Sequence, residues 1–63
     1  MTKREEAEAL WTTKDVAAYL SISQPTLSRW RQLKTGPKFV NLGGIFRYRP
    51  ADVRAYVAEK VSQ

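Results

Sequence analysis

The stretch Thr12-Thr13-Lys14-Asp15-Val16-Ala17-Ala18-Tyr19-Leu20-Ser21-Ile22-Ser23-Gln24-Pro25-Thr26-Leu27-Ser28-Arg29-Trp30 decides the fold. Thr12 with Asp15 three residues later has the spacing of a capping box. In that box the N-cap hydroxyl and the N3 carboxylate each accept a backbone N–H left unpaired at a helix start. The same register puts Trp11 and Val16 at the N′ and N4 positions of a hydrophobic staple, and Val16, Ala17 and Leu20 form one apolar stripe. The pattern predicts a helix over residues 13–20, two turns long and dependent on tertiary support. Ser21-Ile22-Ser23 suffices for a tight turn, with Ile22 placed to fill the gap between two helices. Ser23 is a good N-cap, and Pro25 falls in a first helical turn, where its missing N–H costs nothing. A second helix is therefore predicted over residues 24–33. Leu27 and Trp30 anchor it, and Pro25, Ser28, Arg29 and Gln32 lie on its opposite face.

Outward from this core stretch, Gly36-Pro37 ends the second helix. Two β-prone runs then flank Gly43-Gly44, which predicts a hairpin with a two-residue turn whose paired residue numbers sum to 87. In that register Phe39, Asn41, Phe46 and Tyr48 share the core face, and Lys38, Val40, Leu42, Ile45, Arg47 and Arg49 share the other. Lys38 would then stand opposite Arg49, a like-charge pair that favours an overlying anion. Pro50 suits the first position of a closing helix, with Asp52 near its positive end. Val53, Tyr56, Val57, Lys60 and Val61 recur at helical spacing, so that helix is predicted over residues 50–61. Upstream, residues 1–9 offer nothing to bury and read as a flexible lead-in to a single domain over residues 10–63.

The chain has 63 residues, no cysteine, no histidine and a net charge of +5. Disulfides and thiolate metal ligands are excluded, and with histidine go the commonest general base and zinc ligand. The acidic residues read as caps and solvated charge, and no metal or cofactor is expected; a chain this small builds no pocket for paired carboxylates, so catalysis is not expected. No apolar run nears the about 18 residues that span a bilayer, and residues 1–10 lack a signal-peptide pattern, so a cytoplasmic location with no membrane partner is expected. The charge is unevenly placed. Residues 1–9 hold Lys3 and Arg4 against Glu5, Glu6 and Glu8, a net of −1, which leaves +6 on the remainder. Between Asp15 and Asp52 there is no acidic residue, while Arg29, Arg31, Lys34, Lys38, Arg47 and Arg49 all fall there. Such a one-sided segment suits a polyanion, although net charge of this size also serves solubility.

Two helices joined by a three-residue turn and followed by a basic hairpin make a winged helix-turn-helix, a mainly α fold with one small β-hairpin. Such a second helix enters the major groove of double-stranded DNA, where base edges pair with Gln, Ser, Thr and Arg. Thr26, Ser28 and Gln32 read as base readers or phosphate donors, with Gln24 toward the flank. Arg29 reaches guanine or phosphate from the edge of the face. Arg31, on the core-side flank, reads as a phosphate contact or a member of a structural ion pair. Lys38, Arg47 and Arg49 of the hairpin suit the neighbouring backbone or the minor groove. With Ser23 and Pro25 at the helix start, the candidate DNA-contacting set is Ser23, Gln24, Pro25, Thr26, Ser28, Arg29, Arg31, Gln32, Lys38, Arg47 and Arg49.

Leu10–Leu20 taken with Ser23-Gln24-Pro25-Thr26-Leu27-Ser28-Arg29-Trp30, Gly36-Pro37, Gly43-Gly44, Arg47-Tyr48 and Asp52-Val53 resembles the excisionase and AlpA-like family of small DNA-binding proteins, related to the winged-helix domain of MerR regulators. The resemblance covers about residues 10–57. It implies sequence-specific binding to double-stranded DNA by a bacterial or phage-encoded, nucleoid-associated protein. Its members act as recombination directionality factors, bending DNA beside an attachment site to promote excision by an integrase, or as small transcriptional regulators. The resemblance places Pro25, Ser28, Arg29 and Gln32 on the DNA-facing side. Gly44 and Ile45 stand at the wing tip where many relatives carry arginine or lysine, so a wing contribution rests on Arg47 and its neighbours. Partners expected on this reading are double-stranded DNA, a site-specific integrase and further copies bound side by side; an acidic partner protein for Arg29 and the wing is the competing class. Trp11, Tyr19, Trp30, Phe39, Phe46, Tyr48 and Tyr56 are expected in the core rather than stacked on bases, with Tyr19 off the main stripe.

Overall fold

The computed structural model describes residues 9–61; the lead-in expected over residues 1–9 lies outside the described residues except for Ala9, and so do residues 62 and 63. Three helices and one hairpin follow in the order α1 (Thr13–Leu20), α2 (Gln24–Gln32), β1 (Val40–Asn41), β2 (Phe46–Arg47) and α3 (Pro50–Val61). This is the mainly helical, winged helix-turn-helix arrangement that the sequence predicts. Among the described residues no helix is long and apolar enough to cross a membrane.

α1 starts on the expected capping box. The Thr12 hydroxyl accepts the Asp15 N–H at 3.1 Å, and the Asp15 carboxylate accepts the Thr12 N–H at 3.0 Å. The helix closes at Ser21, which adopts the left-handed conformation with φ 58°. Its own N–H and that of Ile22 return to the carbonyls of Ala18 and Ala17, so the chain reverses within the three-residue turn. Ser23 then caps α2, its hydroxyl accepting the Thr26 N–H at 3.2 Å. α2 ends at Gln32, one residue short of the expected bound, because Leu33 leaves helical geometry and Lys34 turns left-handed at φ 59°.

The hairpin holds the expected register. Val40 pairs with Arg47, Asn41 with Phe46, and the Leu42 N–H donates to the Ile45 carbonyl at 2.8 Å. Gly43 and Gly44 both have positive φ, 69° and 96°, as a turn matching the right-handed strand twist requires. The Asn41 side chain accepts the Gly44 N–H at 2.7 Å and stiffens the tip. The ladder stops before Lys38 and Arg49, so the like-charge cross-strand pair does not form; Arg49 lies 3.9 Å from Asp52 instead. A further pairing was not visible in the sequence. Trp11 and Tyr48 exchange both backbone hydrogen bonds, at 2.8 and 2.9 Å, which lays the segment before α1 along the outer edge of the hairpin's second strand.

Val16 and Ala17 of α1, Leu27 of α2, Tyr48 after the hairpin and Val53 of α3 form the buried core, with Trp11, Leu20, Ile22, Trp30 and Phe39 packed around them. The core-face assignment of the hairpin holds for its three aromatics, since Phe39 meets Phe46 edge-on at 5.6 Å and Tyr48 at 6.4 Å between ring centres. Asn41, expected on the same face, is exposed because its side chain turns to the Gly44 N–H at the tip. Tyr19 is 49% exposed and rests on Trp11 at 5.1 Å rather than entering the core. Val61, expected on the apolar stripe of α3, is 75% exposed because the helix runs on past the core.

Candidate nucleic-acid interface

α2 is anchored in the core by Leu27, which is 1% exposed, and by the half-buried Trp30, which packs against the core and meets Tyr56 of α3 at 6.1 Å between ring centres. Fixing those two side chains inward turns Gln24, Pro25, Arg29 and Gln32 outward, and all four are exposed. Ser23 is exposed as well, but its hydroxyl is engaged at the cap, lying 2.8 Å from the Thr26 hydroxyl. Thr26 and Ser28 are half-buried. The chain thus presents a short polar face with one arginine, whose donors and acceptors match those of base edges in a major groove.

The basic residues separate into different environments. Arg29 and Lys38 are exposed. Arg47 is half-buried, donates from Nη1 to the Phe46 carbonyl at 2.8 Å, and lies close enough to act electrostatically on Asp15. Arg49 is exposed beside Asp52. Arg31 is turned into the protein: its guanidinium carbon lies 4.1 Å from the centre of the Phe46 ring, Nη1 donates to the Tyr48 hydroxyl at 3.3 Å, and Nη2 to the Ser28 hydroxyl at 3.5 Å. The ion pair expected as one alternative for Arg31 does not form among the described residues: its partners are an aromatic ring and two hydroxyls, not a carboxylate.

Besides Asp52 beside Arg49, Asp15 at the start of α1 lies within electrostatic reach of Arg47. The hydrogen bonds from Thr12 hold its carboxyl below the ordinary carboxylate range, and the positive charges of Lys14 and Arg47 act in the same direction. It therefore stays ionised at neutral pH and offsets part of the Arg47 charge. Sequence reasoning missed two residues that bear on the interface, Phe46 and Tyr48 as the seat of Arg31. The signal was present: the hairpin register puts both rings on the core face, and Arg31 lies on the inward flank of α2 three residues after Ser28. Among the described residues no group of three or more His, Cys, Asp or Glu gathers where it could hold a metal ion.

No curated protein and no solved structure matches the chain. A family described as a helix-turn-helix domain matches residues 12–61, which spans every element from the capping box of α1 to the last turn of α3. That family includes excisionase and AlpA-like proteins, and its helix-turn-helix supports binding to double-stranded DNA. On this match, and on the fold that it covers from end to end, the chain belongs to the helix-turn-helix domain family.

Proposed function

We propose that the chain is a sequence-specific DNA-binding protein of excisionase type, which binds beside an attachment site and bends the duplex to favour excision by an integrase. The observation that carries this reading is the exposed face of α2, Gln24, Pro25, Arg29 and Gln32, set beside a basic hairpin in a span without any acidic residue. Ser23, Thr26 and Ser28 add hydroxyls at the start and edge of that face, and Arg47, Lys38 and Arg49 supply charge toward the adjoining phosphates. The distribution favours DNA over an acidic protein partner because base-reading side chains and phosphate-seeking charges adjoin one another. The protein acts in the bacterial cytoplasm on the nucleoid, and several copies bind side by side with the integrase on the DNA.

A small transcriptional regulator would use the same module. The two roles separate on DNA geometry. A duplex enriched by the protein from a random library is fitted with end-placed fluorophores, and the end-to-end distance is measured with and without protein. An architectural factor shortens that distance markedly and stimulates excision when supplied to an integrase encoded next to it. A straight duplex and no effect on excision would overturn the excisionase role and leave the regulator.

A further inference from the structure

The reading face of α2 and the hairpin meet at Arg31. Its guanidinium carbon lies over Phe46, 4.1 Å from the ring centre, while its two terminal nitrogens donate to different residues, one to Tyr48 and one to Ser28. Each seat is itself fixed. Phe46 pairs through its backbone with Asn41 and packs edge-on against Phe39. Tyr48 is 1% exposed and gives both backbone groups to Trp11. Ser28 belongs to the edge of the reading face. One side chain therefore ties a base-reading position of α2 to the second strand of the hairpin.

We propose that Arg31 is a positioning residue for DNA recognition: it locks the hairpin to α2 at one angle and holds the Ser28 hydroxyl in one orientation, without contacting phosphate itself. The proposal rests on the DNA-binding reading above. Its physical basis is that a specific duplex must meet helix and hairpin in one relative placement, and pre-set placement removes the ordering cost at binding. Non-specific binding depends instead on how many charges face the phosphates. Lysine would keep the charge of Arg31 but has neither the planar face for the ring nor the fork for two hydroxyls.

The test uses the full chain and two probes, the duplex enriched from a random library by the wild-type protein and a scrambled duplex of equal composition. All measurements are made below the melting onset of every variant, checked by circular dichroism. Arg31→Lys is expected to weaken the enriched duplex by about tenfold, the scale of one lost cation–π and hydrogen-bonded seat, and to leave the scrambled duplex unchanged. Phe46→Leu, which removes the ring and no charge, is expected to reproduce that loss and not to add to it in the double variant. The proposal is overturned if Arg31→Lys retains the enriched-duplex affinity while Arg31→Met weakens both duplexes and flattens the log–log salt slope by about 0.9, the mark of one lost phosphate contact. An equal loss on both duplexes in Arg31→Lys also overturns it, since Arg31 would then serve DNA binding in general and not the placement that specific recognition needs. If the wild type enriches no duplex, the failure lies with the DNA-binding reading itself.

Discussion

Gly36 lies so close to Trp30 that a Cβ added to it would stand 2.9 Å from Cε3 of the indole. The same residue has φ +81°, a conformation that L side chains rarely adopt. Both conditions arise where the chain leaves α2, since the Thr35 N–H returns to the Trp30 carbonyl at 2.9 Å and the backbone then folds back over the ring toward the buried Pro37. Gly36→Ala should therefore destabilise the fold by about 2–3 kcal/mol, combining a left-handed backbone penalty with an overpacked contact. Gly43→Ala supplies the comparison, because Gly43 shares the positive φ but has nothing within 4 Å of its added Cβ. It should cost only the backbone part, about 1–2 kcal/mol. Urea unfolding followed by tryptophan fluorescence measures both; equal losses would show that the Trp30 contact carries no energy.

Ser21 is a second position where backbone and side chain disagree. Its φ of 58° ends α1 in the conformation that glycine fills best at a helix C-terminus. Its side chain is exposed, so removing it opens no cavity. Ser21→Gly should stabilise the protein by about 1 kcal/mol, which raises the melting temperature of a chain this size by about 4–8 °C. A melting temperature that stays level or falls would show that the serine side chain makes up for its strain.

The Thr12–Asp15 box links the start of α1 to pH. Thr12→Ala should lower stability by about 1 kcal/mol through the lost cap. Asp15 titrates below its ordinary value in the folded protein because of the hydrogen bonds from Thr12, aided by Lys14 and Arg47. The unfolded chain therefore takes up the proton first. The contribution of Asp15 is complete above its ordinary value of 3.8 and is lost as pH falls through the lower folded value. Melting temperature should drop on acidification below about pH 4, and drop less steeply in Asp15→Asn, which does not titrate. Thermal scans from pH 6 to about pH 2 test the difference; parallel curves would remove Asp15 from the acid limb.

On the reading face, Arg29→Ala and Gln32→Ala should each weaken binding to the enriched duplex by about 1–3 kcal/mol. Both residues are exposed, so unfolding should change by no more than about 0.5 kcal/mol. Fluorescence anisotropy with melting as the control separates the two effects. Binding that survives both substitutions would mean that another face of the protein meets the DNA.

Salt dependence tests the electrostatic share. With roughly 4–6 phosphate contacts the log–log slope of affinity against salt should lie near −4 to −5. A flat slope would exclude a phosphate-driven interface.

The local elements were legible because their signals are local. The Thr12–Asp15 spacing, the Ser23-Gln24-Pro25 start and the Gly43-Gly44 turn each concern groups within a few residues, and the structure places α1 and α3 on the expected residues and the hairpin in the expected register. Periodicity placed Pro25, Arg29 and Gln32 correctly on the exposed face of α2, but Ser28, expected there too, is half-buried against Arg31, and Gln24, expected toward the flank, is exposed. Charge was less legible. Composition counts Arg31 and Arg49 with Arg29, yet one faces an aromatic ring and two hydroxyls and another an aspartate.

By itself the sequence of residues 10–61 determined the kind of each element, its ends to within a residue, and which side of the hairpin faces inward, since capping, turn chemistry and side-chain periodicity act over short distances along the chain. Only the tertiary structure decided the rest. The Trp11–Tyr48 pairing joins groups 37 residues apart through backbone atoms that every residue carries, so no side-chain pattern announces it. The seat of Arg31 required α2 and the hairpin to be brought together before a guanidinium with the look of a phosphate contact could become a link between them. Short-range chemistry writes the elements, and the angle at which they meet the same partner is set by contacts that exist only once the core has closed.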